Sequence, residues 1–171
     1  MGNKKWVTPL LALIALIAVG VTIWAIFFHR PQVVLAPDYA PVEEEENAQP
    51  IEGGSGDKLE AQEGGGAVSL TYANEVTVDL SDRKADLLFA NPGKSLQDMV
   101  VQIVIDETVI VQSGTLKPGN QVTTLSLLDG AANQLQSGGY DGKFVVFYYD
   151  PDSGEKAVVN TEIPITVTVQ E

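Results

Sequence analysis

Cysteine is absent from this 171-residue chain, and histidine occurs once, as His29. The absence of cysteine excludes disulfides, thiol catalysis and zinc–thiolate sites. The absence of histidine beyond residue 29 excludes Ser/His/Asp catalysis from the C-terminal part of the chain. We therefore predict a non-enzymatic protein without cofactor, metal site or small-molecule substrate. A cysteine-free exported domain also fits a bacterial envelope better than an animal extracellular space, where domains of this size usually carry disulfides.

Basic residues are scarce in this chain. It has 10 Lys and Arg residues against 23 Asp and Glu residues, which gives a formal net charge of -13 at pH 7. A surface of this sign repels phosphate backbones and anionic lipid headgroups. The charge therefore excludes nucleic acid as a partner, and it holds the acidic part of the chain off a membrane surface.

Charged residues are missing altogether from residues 6–28, which are apolar except for Thr8 and Thr22. As a helix this run is about 34 Å long, enough to cross a hydrocarbon core of about 30 Å. It exceeds the apolar region of a signal peptide, so we predict a retained transmembrane anchor and membrane association. A cleaved signal and a buried helix of a soluble protein are the alternatives.

The flanks of this run predict its orientation. Lys4 and Lys5 precede it, whereas Arg30 is the one formal positive charge just after it. The positive-inside rule then places residues 1–5 in the cytoplasm and the C-terminal part outside the cell membrane. The aromatic residues at the two ends of the run are suited to the membrane–water interfaces as anchors: Trp6, Trp24, Phe27 and Phe28.

Residues 29–66 contain few apolar residues and many prolines, glycines and acids. Four glutamates follow one another from Glu43 to Glu46, and glycines cluster at 53–56 and 64–66. Prolines and like charges extend a chain, while glycines loosen it. We predict a disordered acidic linker here.

Residues 67–171 show alternation of apolar and polar residues, as at Val76, Val78 and Leu80. Turn signals such as Lys117-Pro118-Gly119-Asn120 separate the alternating segments. Seven or eight short strands at intervals of about ten residues predict an all-β extracytoplasmic domain, with a β-sandwich as its architecture. Pro164, inside the last segment, marks a sheet edge or a strand switch.

One set of segments in this domain resembles a known fold family. The segments are Asn91-Pro92, Met99–Ile105, Ser113–Asn120, Gly138–Tyr140 and Tyr149-Asp150. Together they resemble immunoglobulin-like and fibronectin type III-like ectodomains of single-pass surface proteins of Gram-positive bacteria. The resemblance implies an immunoglobulin-like β-sandwich with Tyr140 at the tyrosine-corner position. The cysteine pair and core tryptophan of antibody domains are missing.

Two strands of this domain predict an apolar outer face. If the odd-numbered residues of Met99–Ile105 and the even-numbered residues of 144–148 point inward, the residues between them point outward. An exposed apolar patch is a common mark of a protein interface. The predicted partner-binding face consists of Val100, Gln102, Val104, Val145, Phe147 and Tyr149. The alternative is a face covered by long side chains or by the segment Asp129–Gln136.

These features predict a non-catalytic binding or scaffolding protein of the cell envelope, with a protein partner. A subunit of a surface or secretion assembly is one form of this role. The alternative is a cell-wall or carbohydrate-binding module that uses Phe147 and Tyr149. The acidic segment Asp150–Glu155 has some features of a calcium loop, but Gly154 and Glu155 stand where that pattern wants an acid or Asn and then Gly. A hairpin turn fits the segment better.

Overall fold

The computed structural model describes residues 17–19, 35–53, 57–61 and 66–171. The chain divides into two compact units, residues 1–34 and 35–171. In the first unit, residues 17–19 are helical. Within the described ranges, no helix has the length and apolar character that a membrane crossing needs. Most of the predicted span at 6–28 lies outside the described residues, as do residues 1–5 and the four predicted anchors Trp6, Trp24, Phe27 and Phe28.

The second unit is built almost entirely of β-strands, which confirms the predicted all-β class. The strands are β1 (Gln49–Pro50), β2 (Thr71–Tyr72), β3 (Glu75–Asp79), β4 (Lys84–Asn91), β5 (Asp98–Ile105), β6 (Thr108–Gln112), β7 (Asn120–Ser126), β8 (Gly138–Tyr149) and β9 (Lys156–Gln170). A 3₁₀ turn, Ala131–Gln134, lies between β7 and β8. Alternating β-branched and polar residues, bounded by Gly, Pro and Asp turns, favour strands over helices here.

The strands form one hydrogen-bonded sheet in the order β1-β7-β4-β3-β9-β8-β5-β6, and β2 pairs with β4. All pairs are antiparallel except β3 with β9, which is parallel. The sheet curls, so strands that are distant in this order face each other. The rings of Phe89 in β4 and Phe144 in β8 meet edge to face with centroids 5.6 Å apart. The apolar core lies between these facing strands.

Strand β9 changes partners along its length. Residues 166–170 lie between β8 and β3, whereas residues 156–165 have β8 as their strand partner in the described part of the chain. The amide of Thr166 donates to the carbonyl of Asn74 at 2.8 Å, away from β8. Pro164 faces the same way two residues earlier, so its missing N–H leaves the β8 ladder intact. The prediction of a sheet edge or a strand switch at Pro164 agrees with this arrangement, since Pro164 lies on the unpaired side of β9 just before its pairing with β3 begins.

Tyr140 fixes the corner that precedes the main part of β8. Its hydroxyl donates to the carbonyl of Gln136 at 2.9 Å and accepts from the amide of Gln136 at 3.2 Å. A tyrosine hydroxyl bonded to backbone a few residues upstream is the geometry of a tyrosine corner. The hydroxyl thus ties the 3₁₀ turn to the strand that follows it.

The chain that was predicted as a disordered linker differs from that prediction wherever it is described. The second unit begins at Leu35, not at residue 67. Gln49–Pro50 pair with β7, and the amide of Leu59 donates to the carbonyl of Lys94 at 2.9 Å. Lys58 Nζ also donates to the carbonyl of Ser95 at 2.8 Å. In its described ranges, 35–53 and 57–61, this region is therefore bonded to the domain.

Candidate functional site

The pairing of β5 with β8 brings the predicted binding residues together on one side of the sheet. Val100 lies opposite Phe147, and Gln102 lies opposite Val145. Tyr149 and Val104 extend the same side at its two ends, opposite Asp98 and Lys143. The intervening residues belong to the core cluster, as predicted: Met99, Val101, Ile103, Ile105, Phe144, Val146 and Tyr148.

The predicted exposure of this face is wrong. Val100 and Tyr149 are fully buried, and Val145, Gln102 and Val104 are also buried. Phe147 alone of the six is partly exposed. Strand β5 is thus buried on both faces, and the predicted patch is not open to a partner in this structure.

Residues 36–45, which we call the acidic strap, cover the part of this face near Gln102 and Tyr149. At its start, the amide of Ala36 donates to Gln112 Oε1 of β6 at 3.0 Å. The carbonyl of Pro37 accepts from the Tyr149 hydroxyl of β8 at 3.0 Å. Because β5 lies between β6 and β8, the strap crosses the face that carries Val100 and Gln102.

The strap next runs along the turn between β8 and β9. The carbonyl of Asp38 accepts from the amide of Lys156 at 3.0 Å, and the amide of Ala40 donates to the carbonyl of Gly154 at 2.8 Å. Between them, Tyr39 forms an antiparallel bridge with Glu155. These alternating bonds make the strap a short additional strand at this turn.

The end of the strap returns to the loop after β6, where Thr115 holds it. The hydroxyl of Thr115 donates to the carbonyl of Pro41 at 2.8 Å. The amide of Thr115 donates to Glu43 at 3.1 Å, and its carbonyl accepts from the amide of Glu45 at 3.0 Å. Gly114 N adds a bond to Glu45 Oε2 at 2.7 Å. The strap is thus held mainly through backbone groups.

Charged side chains reinforce the strap at its edges. Lys156 Nζ donates to the carbonyl of Ala36 at 2.7 Å, lies 3.3 Å from the Asp38 carboxylate, and sits 5.9 Å from the centre of the Phe147 ring. At the other end, Lys117 pairs with Glu44. The carboxylates of both pairs are exposed to solvent, which weakens ion pairs, so the pairs contribute less to holding the strap than its backbone bonds do.

Two ionisable groups are buried beneath the strap. Burial raises the pKa of the Tyr149 hydroxyl to about 12, and the negative charge of Asp38 adds to the rise. Burial also raises the pKa of the Asp98 carboxyl, which the positive charge of Lys117 opposes. Burial thus disfavours the charged form of both groups.

The acidic segment Asp150–Glu155 folds as a tight turn. Asp150 Oδ1 accepts from the amide of Ser153 at 2.7 Å, from the Ser153 hydroxyl at 2.9 Å and from the amide of Asp152 at 3.1 Å. These bonds lower the pKa of the Asp150 carboxyl. In the described part of the chain, no group of three or more acidic or histidine side chains is arranged to hold a metal ion.

Comparison with known proteins adds no relationship to this geometry. No protein-family model matches the chain, and no curated protein matches it significantly.

Sequence reasoning missed the strap, although one signal pointed to a cover. The run Met99–Ile105 is apolar at every position except Gln102. Strands that are buried on both faces read as near-continuous apolar runs, whereas half-exposed strands alternate. That run predicts a covered strand, but it does not identify which segment covers it.

Proposed function

We propose that this chain is a membrane-anchored, non-catalytic binding or scaffolding protein of a bacterial cell envelope, with its β-domain outside the cell. One observation carries the proposal: an uncharged apolar run at 6–28 precedes a chain whose described residues form a single β-rich unit. The acidic segment after the run is packed along that unit from its first described residues, so it acts as part of the folded domain.

The tether between anchor and domain is short under this proposal. Six residues, 29–34, separate Phe28 from Leu35. The sequence prediction instead placed a 38-residue linker, 29–66, between the anchor and the domain.

The fold proposed for this domain is an immunoglobulin-like β-sandwich. The pairing order supports it, because β3, β4 and β7 would form one layer and β9, β8, β5 and β6 the other. In this assignment β3 joins both layers, pairing with β4 and with β9. The contact between Phe89 and Phe144 and the corner at Tyr140 are further support. Such sandwiches serve mostly as scaffolds and recognition modules.

The carbohydrate-binding alternative receives no support from the face on which it was based. An aromatic sugar platform needs exposed rings, but Tyr149 is fully buried and the Lys156 ammonium lies over Phe147. The face that was predicted to bind a partner is occupied by the strap. A partner of this domain is therefore expected to use another part of its surface.

The absence of cysteine allows a clean test of the proposed topology. Single cysteines are introduced as Asn3→Cys, before the predicted anchor, and Asp152→Cys, in an exposed turn. In intact bacteria that produce the full chain, a membrane-impermeant maleimide should label Asp152→Cys at once. It should label Asn3→Cys only after lysis. The unmodified chain is the control, since it has no thiol to label.

The reverse labelling pattern would refute the proposed orientation. Release of the chain from washed membranes by high salt or carbonate would refute the anchor itself. Mature chain shortened by about 30 residues would assign the apolar run to a cleaved signal.

A further inference from the structure

In the described part of the chain, the edge of β9 between residues 157 and 164 is open. Strand β3 pairs with residues 166–170 of β9, and Asn74 bonds to Thr166. The residues that precede Asn74 do not continue along β9. The amide of Ala73 already donates to the carbonyl of Leu88 in β4, and β2 also pairs with β4. Within the described ranges, no strand lies along residues 157–164 on the side away from β8.

This edge presents unpaired backbone groups. Thr166 directs its amide away from β8, and backbone direction alternates along a strand. Asn160 and Glu162 therefore each direct one N–H and one C=O to the open side, and Pro164 directs a C=O. No described residue pairs with these groups. A row of unpaired backbone groups is a template for an added strand.

A groove of about 870 Å³ runs beside this edge. One wall is β9 with Ala157, Val158 and Val159, and the other contains Val68 and Gln97. Val158 is fully exposed and Val159 is 68% exposed. This volume is in the range of peptide- and ligand-sized sites. Among the lining residues of β9 are Ala157, Val158, Val159 and Thr161, so the groove adjoins the first part of the open edge. The groove supplies apolar surface there, and the edge beyond it supplies the backbone partners for a strand.

The charges along the groove favour a cationic occupant. Asp150 and Glu155 line it. The one basic residue among the described lining residues, Lys156, is bonded to Ala36 and paired with Asp38 in the strap. The net charge of the whole chain, -13, has the same sign. Lys or Arg in an incoming segment would therefore be attracted both at a distance and in the groove.

We propose that the open edge of β9 binds an extended segment of a partner protein, which adds to the sheet as a further strand. The segment has apolar or β-branched side chains at alternate positions and Lys or Arg beside Asp150 and Glu155. The proposal rests on the proposed function, since it names the partner of that binding module. A second copy of this chain suits the edge less well, because it would add its own Glu155 and Glu162 to the same ribbon.

The test uses the full chain in detergent micelles and two labelled eight-residue peptides. Both alternate valine with threonine; one has lysine at each end and the other has glutamate. Fluorescence anisotropy should show binding of the lysine peptide, with the glutamate peptide about tenfold weaker. Native-state hydrogen exchange should show new protection of the amides of Asn160 and Glu162 when the lysine peptide is bound.

A matched pair of variants isolates the strand pairing. Glu162→Pro and Glu162→Ala both remove the carboxylate and its pair with Lys143, but only proline removes the outward N–H. Glu162→Pro should bind the lysine peptide about tenfold more weakly than Glu162→Ala, the effect of one hydrogen bond. If Glu162→Pro fails to fold, Asn160→Pro and Asn160→Ala give the same comparison one outward-facing residue earlier.

Equal binding by the proline and alanine variants would overturn the proposal, as would no binding of the lysine peptide to the unmodified chain. A dimer of the chain in sedimentation that Glu162→Pro dissociates would also overturn it, because the occupant would then be a second copy. These assays use solubilised chain, so their outcome is independent of the cysteine-labelling test of membrane orientation.

Discussion

Gly114 packs directly against the backbone of the acidic strap, so it is a sharp place to perturb the strap. A Cβ atom at residue 114 would lie 2.9 Å from the amide nitrogen of Glu45 and 3.0 Å from the carbonyl oxygen of Glu43. Both are backbone atoms, which cannot rotate aside as a side chain can. Gly114→Ala must therefore push strap residues 43–45 away from the loop after β6.

The size of the effect follows from the bonds that this movement breaks. The bonds at risk are Glu45 N to Thr115 O, Thr115 N to Glu43 O, and Gly114 N to Glu45 Oε2. Each is worth about 0.5–1.5 kcal/mol net, so together they hold about 1.5–4.5 kcal/mol. The strap can relax in part, as overpacked sites do, and we expect Gly114→Ala to reduce the free energy of unfolding by about 2 kcal/mol.

The assay combines chemical denaturation of the full chain in detergent with hydrogen exchange. The amides of Ala40 and Glu45 donate to the carbonyls of Gly154 and Thr115 in the domain. Both amides should exchange faster in Gly114→Ala, because these bonds require the strap to lie on the domain. Gly139→Ala is the matched control, since its new Cβ would meet nothing within 4 Å in β8. Gly139→Ala should leave stability unchanged or raise it by up to about 1 kcal/mol.

A result within about 0.5 kcal/mol of the control, the range of neutral surface changes, would refute the reasoning. Unchanged hydrogen exchange at Ala40 and Glu45 would also refute the reasoning, because the position of the strap would then not depend on the contact at Gly114.

Three further substitutions test Asp98, Asn91 and Tyr140. Burial raises the pKa of the Asp98 carboxyl above its ordinary value of 3.8, so the folded chain loses stability as pH rises from 3.8 to the raised pKa. Asp98→Asn should therefore be more stable than the unmodified chain at pH 7. Denaturation curves below pH 3.8 should show no such gain. Asn91 Nδ2 donates to the carbonyls of Gln97 and Leu116, both at 2.9 Å, so Asn91→Ala should cost about 2–4 kcal/mol in thermal or chemical unfolding, and a loss under about 1 kcal/mol would contradict this role. Tyr140→Phe removes the two bonds to Gln136 and should cost about 1 kcal/mol, whereas an unchanged midpoint would show that the corner contributes no stability.

The strands were predictable because their pattern is set by burial on one side. Ile163, Ile165 and Val167 of β9 alternate with exposed residues, as a half-buried strand requires. Pro164 could be placed at a strand switch because proline lacks the N–H that an interior ladder needs. The pairing partners were less accessible, since the parallel contact of β3 with β9 joins residues about 90 positions apart and depends on the whole topology.

The strap escaped sequence prediction because composition describes side chains, whereas the strap is held by its backbone. Glutamates from Glu43 to Glu46 and nearby prolines are the composition of a disordered segment. In the structure, however, the carbonyls of Pro37, Asp38 and Pro41 accept hydrogen bonds from the domain, and the strap's acids mostly point to solvent. Backbone bonding of this kind is open to almost any residue, so it leaves little trace in composition. The informative signal lay instead in Met99–Ile105, because a strand that is apolar on both faces requires a cover. Once the other strands are assigned to the sheet, a chain of this length has few segments left to supply that cover.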